Sequence, residues 1–175
     1  VTSGANLGWN TWEGSFRFIS RSAVSLSNPR GDEALTYPVA EYGQEDPLLQ
    51  RSSAATGLHV YRSDAIPELA NLVLFGDNPS GEVFYVRADG LPSGGQQAIR
   101  RILLNDRGDS KTLLQLIQEK NREQGRSPAG RADLRFGSGP DGQVFLLNKR
   151  DGIIRLFVSS TGSGNADSGH PDIFE

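Results

Sequence analysis

The 175 residues contain no cysteine, which excludes disulfides and thiolate-held metals and leaves redox compartment unreadable from thiols. Methionine is absent as well, even at position 1, so the chain is expected to be a processed or excised piece with any signal peptide outside it. No apolar run approaches the ~18–20 residues needed to span a bilayer, and no membrane insertion is expected. Neither sign of charge dominates: 18 Lys and Arg stand against 21 Asp and Glu, for a formal charge of −3 and a pI near 5.4. Such a balance argues against a nucleic-acid partner, because no basic face leads. Only two histidines occur, and with no second His or Cys at ligand spacing no transition-metal site is indicated.

Glycine and proline are plentiful instead, with 21 and 9 copies. Together with a mean hydropathy of −0.43 they fit one ordinary globular domain of tight turns and short strands better than a helical bundle. The clearest stretch runs from Arg131 to Gly152. Leu134 to Phe136 is β-prone, and Pro140-Asp141-Gly142 is a turn in which Pro presets φ, Asp bonds its own backbone and Gly accepts positive φ. Val144 to Leu147 then leads through Arg150-Asp151-Gly152 into Ile153 to Val158, which makes a three-stranded antiparallel meander.

The meander has an earlier copy. Phe75-Gly76, Pro79, Gly81 and Val83-Phe84 match Phe136-Gly137, Pro140, Gly142 and Val144-Phe145 at an offset of 136 − 75 = 61 residues. Both copies run on to an Asp-Gly pair, at Asp89-Gly90 and Asp151-Gly152. A strand–turn–strand unit repeated at such a period is the mark of solenoids and propellers. The repeat units fall near 72–90 and 134–152. Between them, residues 109–125 read as an inserted helix of about 110–124, capped by Asp109 or Ser110. Leu113, Leu114, Leu116 and Ile117 face inward, and Gly125 is the stop. Its charged face (Glu119, Lys120, Arg122, Glu123) reads as solvated, and the insertion stretches the offset beyond the ~40–50 residues usual for such repeats.

Before the first copy, Asn6 to Gly14 reads as an aromatic strand with Trp9 and Trp12 in an inter-sheet core. Segment 20–35 is a polar excursion, and Leu35 to Tyr42 an edge strand broken at Pro38. Ser53 to Arg62 alternates as a strand does, Leu72 to Gly76 is apolar enough to be buried on both faces, and Ile99 to Leu104 adds a further strand. Residues 1–158 thus read as an all-β domain of about three four-stranded antiparallel blades, followed by a Gly/Ser-rich tail over 159–175. Closed propellers have about four to eight blades, so the chain reads as part of a ring whose open edges need the remaining blades, a second copy or the helix as cover.

The chain resembles the soluble quinoprotein sugar dehydrogenases of the glucose/sorbosone dehydrogenase type. The resemblance rests on Asn6-Leu7-Gly8-Trp9 with Glu13-Gly14, Thr56-Gly57-Leu58 with Val60-Tyr61-Arg62, Ile66-Pro67-Glu68-Leu69, Leu74-Phe75-Gly76-Asp77, and Asp133-Leu134-Arg135 with Gly139-Pro140-Asp141-Gly142 and Asp151-Gly152. These stretches follow the order of that family's C-terminal half and cover most of residues 6–158. The resemblance implies half of a six-bladed propeller that oxidises a sugar hydroxyl with hydride transfer to pyrroloquinoline quinone (PQQ) beside Ca²⁺, in the periplasm or outside the cell. The catalytic base would be a His of the missing half, so no catalytic residue is expected in this chain.

Cofactor contacts implied by the resemblance are Arg131, Arg135 and Thr56, with Asp77 toward the metal; Arg suits a tricarboxylate because it grips carboxylates bidentately. The family's Arg-x-Arg would fall on Gly130-Arg131-Ala132, so the pair is not present as such, and a cofactor lysine would fall near the uncharged Pro79-Ser80. Asp141 reads as turn chemistry before calcium ligation. His59 reads as a packed or rim residue, and His170 lies in the tail. The other reading of the same residues is a non-catalytic propeller, an interaction module with a decayed cofactor site.

Overall fold

A computed structural model describes residues 2–43 and 53–160; from residue 161 the expected tail, with His170, lies outside the described residues. The protein is mostly β, with one short helix and four separate antiparallel sheets among the described residues. The chain divides into two compact units, residues 1–42 with 91–98, and residues 43–90 with 99–175.

The first unit carries β1 (Trp12–Glu13), β2 (Phe16–Ser20) and β3 (Ala23–Ser25), paired in that order. Part of the polar segment 20–35 is therefore strand. Trp12 is buried, with its ring edge-on to Tyr37 at 5.6 Å. Trp9, expected in the core with it, is 73% exposed and tilts against Phe18 at 5.4 Å. The strand expected over Leu35 to Tyr42 does not form, because its backbone makes scattered single bonds instead of a ladder: Thr36 N–H to Asn6 O, Glu41 N–H to Gly95 O. A polar knot holds this segment. The Glu41 carboxylate accepts from the N–H and the hydroxyl of buried Ser15, and Arg30 donates to Ser15 Oγ and to the Pro38 carbonyl.

The second unit starts with β4 (Ala55–Val60), a 3₁₀ turn at Pro67–Leu69, β5 (Leu72–Asp77), β6 (Val83–Arg87) and β7 (Arg100–Ile102), an antiparallel four-stranded sheet in sequence order. The hairpin β8 (Leu104–Asp106) and β9 (Asp109–Lys111) follows, then α1 (Leu113–Glu123). The helix begins later than its composition suggested, because Asp109 and Ser110 are taken by β9. Thr112 is the cap: its Oγ1 accepts from Gln115 N–H while the Gln115 side chain accepts from Thr112 N–H, a capping box. At the other end Gly125, at φ +69°, donates to Arg122 O, and Arg126 N–H reaches back to Asn121 O, a Schellman stop. Glu119 is not merely solvated, since it pairs with Lys111 at 2.9 Å.

The last sheet is a meander of β10 (Arg135–Ser138), β11 (Val144–Leu147) and β12 (Ile154–Leu156). One core joins the whole unit. Leu72, Leu74, Val83, Tyr85 and Ile102 from the four-stranded sheet meet Leu113, Leu114 and Ile117 from α1, Leu134 just before β10, and Val144 and Leu146 from β11. Burial of each such side chain is worth about 1.5–3 kcal/mol. Close approach needs glycine: the Phe136 ring lies on Gly57, at φ +67°, where a Cβ would collide with it, and so β4 runs beside β10.

Candidate functional site

The β5–β6 turn is built around Asp77. This side chain has no exposed surface; its Oδ2 accepts from Ala54 N–H at 2.6 Å and its Oδ1 from Ser80 N–H at 2.8 Å. Both oxygens thus serve the turn and the entry into β4, the Asx chemistry that fixes a loop. As placed, Asp77 has no open face for Ca²⁺, which takes 6–8 oxygen ligands. Among the described residues no three or more His, Asp or Glu side chains gather as a metal would require.

Asn78 extends the turn toward the last sheet. Its N–H donates to Ala54 O, its Nδ2 to Leu134 O at 3.1 Å, and its Oδ1 accepts from Arg131 Nη2 at 2.7 Å. Thr56 is paired with Gly76, beside Asp77. Three of the sequence-derived candidates, Thr56, Asp77 and Arg131, are therefore gathered at one end of the second unit through the hydrogen bonds of Ala54 and Asn78. Arg135 is separate. It stands exposed on β10 opposite Leu147, with its Nη1 donating to Leu134 O.

Asp133 sits in the middle of the charges at this end. Its φ of +55° is the left-handed region, which Asp tolerates better than most residues. Arg131 Nε donates to its Oδ1 at 2.5 Å, Arg150 Nε lies 2.6 Å from its Oδ2, and Lys149 Nζ lies 3.8 Å away. Burial pushes the Asp133 carboxyl up, but the hydrogen bond and charge of Arg131 and the charge of Arg150 outweigh it and hold it below the usual carboxylate range. Lys149 and Arg150 come from the β11–β12 hairpin, which Asp151 pins: fully buried, it accepts from Arg155, Asn148 and Ile153 N–H. Sequence reasoning missed this pair. The signal was the hairpin itself, which returns the residues after β11 to the start of β10.

The remaining candidates lie elsewhere. The exposed Asp141 exchanges hydrogen bonds with the Gln143 side chain inside its own turn. His59 is half-buried on β4, with Nδ1 2.8 Å from Ser138 Oγ and its ring 6.3 Å from that of Tyr61. Among the described residues no helix is long and apolar enough to cross a membrane.

The end formed by Thr56, Asn78, Arg131, Asp133, Lys149 and Arg150 is thus cationic, hydrogen-bonded and suited to anions. Comparison with protein-family models, with curated proteins and with solved structures returned no match.

Proposed function

We propose that this chain supplies C-terminal blades of a PQQ-dependent aldose dehydrogenase-like propeller, and that the cationic end of its second unit faces the cofactor. The observation that carries the reading is the pair of sequence-ordered meanders, β4-β5-β6-β7 and β10-β11-β12, each bearing the Phe-Gly/Pro/Gly/Val-Phe motif and sharing one core. Bound there, PQQ would supply the hydride acceptor for a sugar hydroxyl. This chain's part is to hold and orient an anion: Arg131 presents a guanidinium fixed by Asp133 and Asn78, and Thr56 a hydroxyl on the neighbouring strand. Asp77 fits a turn-forming role, so no calcium step is assigned to it.

The outer face of the last sheet fits the same reading. Ile154, Leu156 and Val158 are 66%, 47% and 71% exposed, next to Phe145 and Leu147 on the paired strand. Further blades of the propeller would cover it, and a second copy is the other candidate. Periplasmic or extracellular residence belongs to this proposal.

A second reading, a propeller kept as an interaction module, is favoured by Ala132. Where the resemblance asks for the second arginine, this side chain has no exposed surface, and its N–H is bonded to Pro79 O. Ser80, near which the family's lysine would fall, is also buried. The deciding experiment is an optical titration with PQQ and Ca²⁺ of the polypeptide carrying this chain, together with dye reduction on a panel of aldoses. Stoichiometric binding with turnover supports the dehydrogenase. No binding at high micromolar PQQ overturns it in favour of the interaction module.

A further inference from the structure

We infer that Arg131, Lys149 and Arg150 form a binding site for a multiply charged carboxylate anion, in which Asp133 is the positioning residue that aligns the two guanidinium groups. The cationic pair that is missing at positions 130 and 132 is supplied instead by the β11–β12 hairpin. The inference deepens the cofactor reading, on which it rests for the ligand's identity, while its test reads anion binding directly.

Three cations converge on one carboxylate, which leaves two positive charges over within a few ångströms. A structural ion pair needs one cation per carboxylate, and crowding the others in costs like-charge repulsion. Donors are left over as well. Arg150 Nε is buried and committed to Asp133 Oδ2 at 2.6 Å, which holds the guanidinium in place, while among the described residues its terminal nitrogens make no hydrogen bond. Among the described residues Lys149 makes no side-chain hydrogen bond, and its side chain is 79% exposed. Arg131 uses Nε on Asp133 and one terminal nitrogen on Asn78, which leaves the other for a ligand. Planar guanidinium forks suit carboxylates bidentately, and the ammonium adds a movable charge at the rim. The Asp133 backbone, in the left-handed region, and the buried Asp151 keep both arms of the site rigid. A preorganised site loses less entropy on binding.

The test is calorimetric titration of the chain with citrate, a redox-inert tricarboxylate, and separately with PQQ. The variants are Lys149→Glu, Arg150→Gln and, as a control at the far end of β4, Arg62→Glu. Lys149 is so exposed that its variant keeps the fold. Citrate is expected to bind, more weakly as NaCl rises, and about tenfold or more weakly in Lys149→Glu and Arg150→Gln but not in Arg62→Glu. Absence of citrate and PQQ binding, or equal loss in the Arg62→Glu control, overturns the inference. PQQ binding that both site variants leave intact overturns it too, with the cofactor reading standing. Citrate binding with the variant pattern but no PQQ binding supports the site and overturns the cofactor reading.

Discussion

The two meanders of the second unit start from the same motif and end with opposite faces of their first strands in the core. In the first, Gly76 pairs with Val83 and six residues, 77–82, make the turn. In the second, Ser138 pairs with Val144 and five residues, 139–143, suffice. The repeat offset alone would pair Gly137 with Val144, so β10 has slipped by one residue against β11. Because side chains alternate along a strand, a slip of one inverts every side chain of β10 relative to β5. Leu74 is fully buried, whereas its counterpart Arg135 (74 + 61) is exposed; Val73 is half-buried, whereas its counterpart Leu134 (73 + 61) is fully buried. The second strands stay in phase: Val83 and Tyr85, Val144 and Leu146 all face the core. The turns explain the difference. Asp77 N–H closes the first turn on Glu82 O, five residues on, with the Asp77 carboxylate bracing it on Ser80 N–H and Ala54 N–H, whereas Gly139 N–H closes the second on Gln143 O, four residues on.

The largest expected effect comes from exchanging the inverted positions. Leu74→Arg puts an unpaired charge in the core and should cost more than ~4 kcal/mol in urea unfolding, whereas Arg135→Leu should change stability by less than ~1 kcal/mol. Equal losses at both would mean that the strands share a register. Next, Leu134→Ala should cost about 2–5 kcal/mol and Val73→Ala about 1 kcal/mol, measured the same way.

The Asp-Gly turns give a third contrast. Asp89 pairs with Arg87 at the surface, and Asp151 is buried under Arg155. Asp151→Asn should cost about 1–3 kcal/mol, and Asp89→Asn should leave the unfolding midpoint unchanged. Burial raises the Asp151 carboxyl, but Arg155, Ile153 N–H and Asn148 more than offset it, so its folded pKa lies below the ordinary value. Its stabilisation is then complete above the unfolded pKa of about 4 and lost as pH falls through the folded value, and an acid titration of stability should flatten below about pH 4 in Asp151→Asn. The smallest effect belongs to the outer face of the last sheet. Leu156→Lys should alter the stability of this chain by less than ~0.5 kcal/mol. A large loss confined to the longer polypeptide would reveal a covering sheet.

Much of the fold was legible in the residues. β11 falls where the apolar run Val144 to Leu147 put it, and β5 and β12 fall within a residue or two of their runs, because apolar strands between turn residues leave few alternatives. The helix was legible in its apolar stripe but not at its start, since Asp109 and Ser110 cap as well as Thr112 until the β8–β9 hairpin claims them. Trp9 and Trp12 share composition and neighbours, and only packing against Tyr37 or Phe18 separates buried from exposed. At the candidate site, Thr56, Asp77 and Arg131 could be named, but Lys149 and Arg150 could not, because their approach to Asp133 depends on a hairpin closing over a strand that starts fifteen residues earlier.

The strands at Leu72 to Gly76 and Val144 to Leu147 and the repeat that links them are local properties, carried by apolar runs and by the φ preferences of Pro, Asp and Gly, and the sequence by itself determined them. Which face of β10 enters the core, and which cations surround Asp133, was decided only in the tertiary structure. A single hydrogen-bonded turn residue shifts register by one, and the whole core, acting at once, selects the register that buries Leu134 and leaves Arg135 outside.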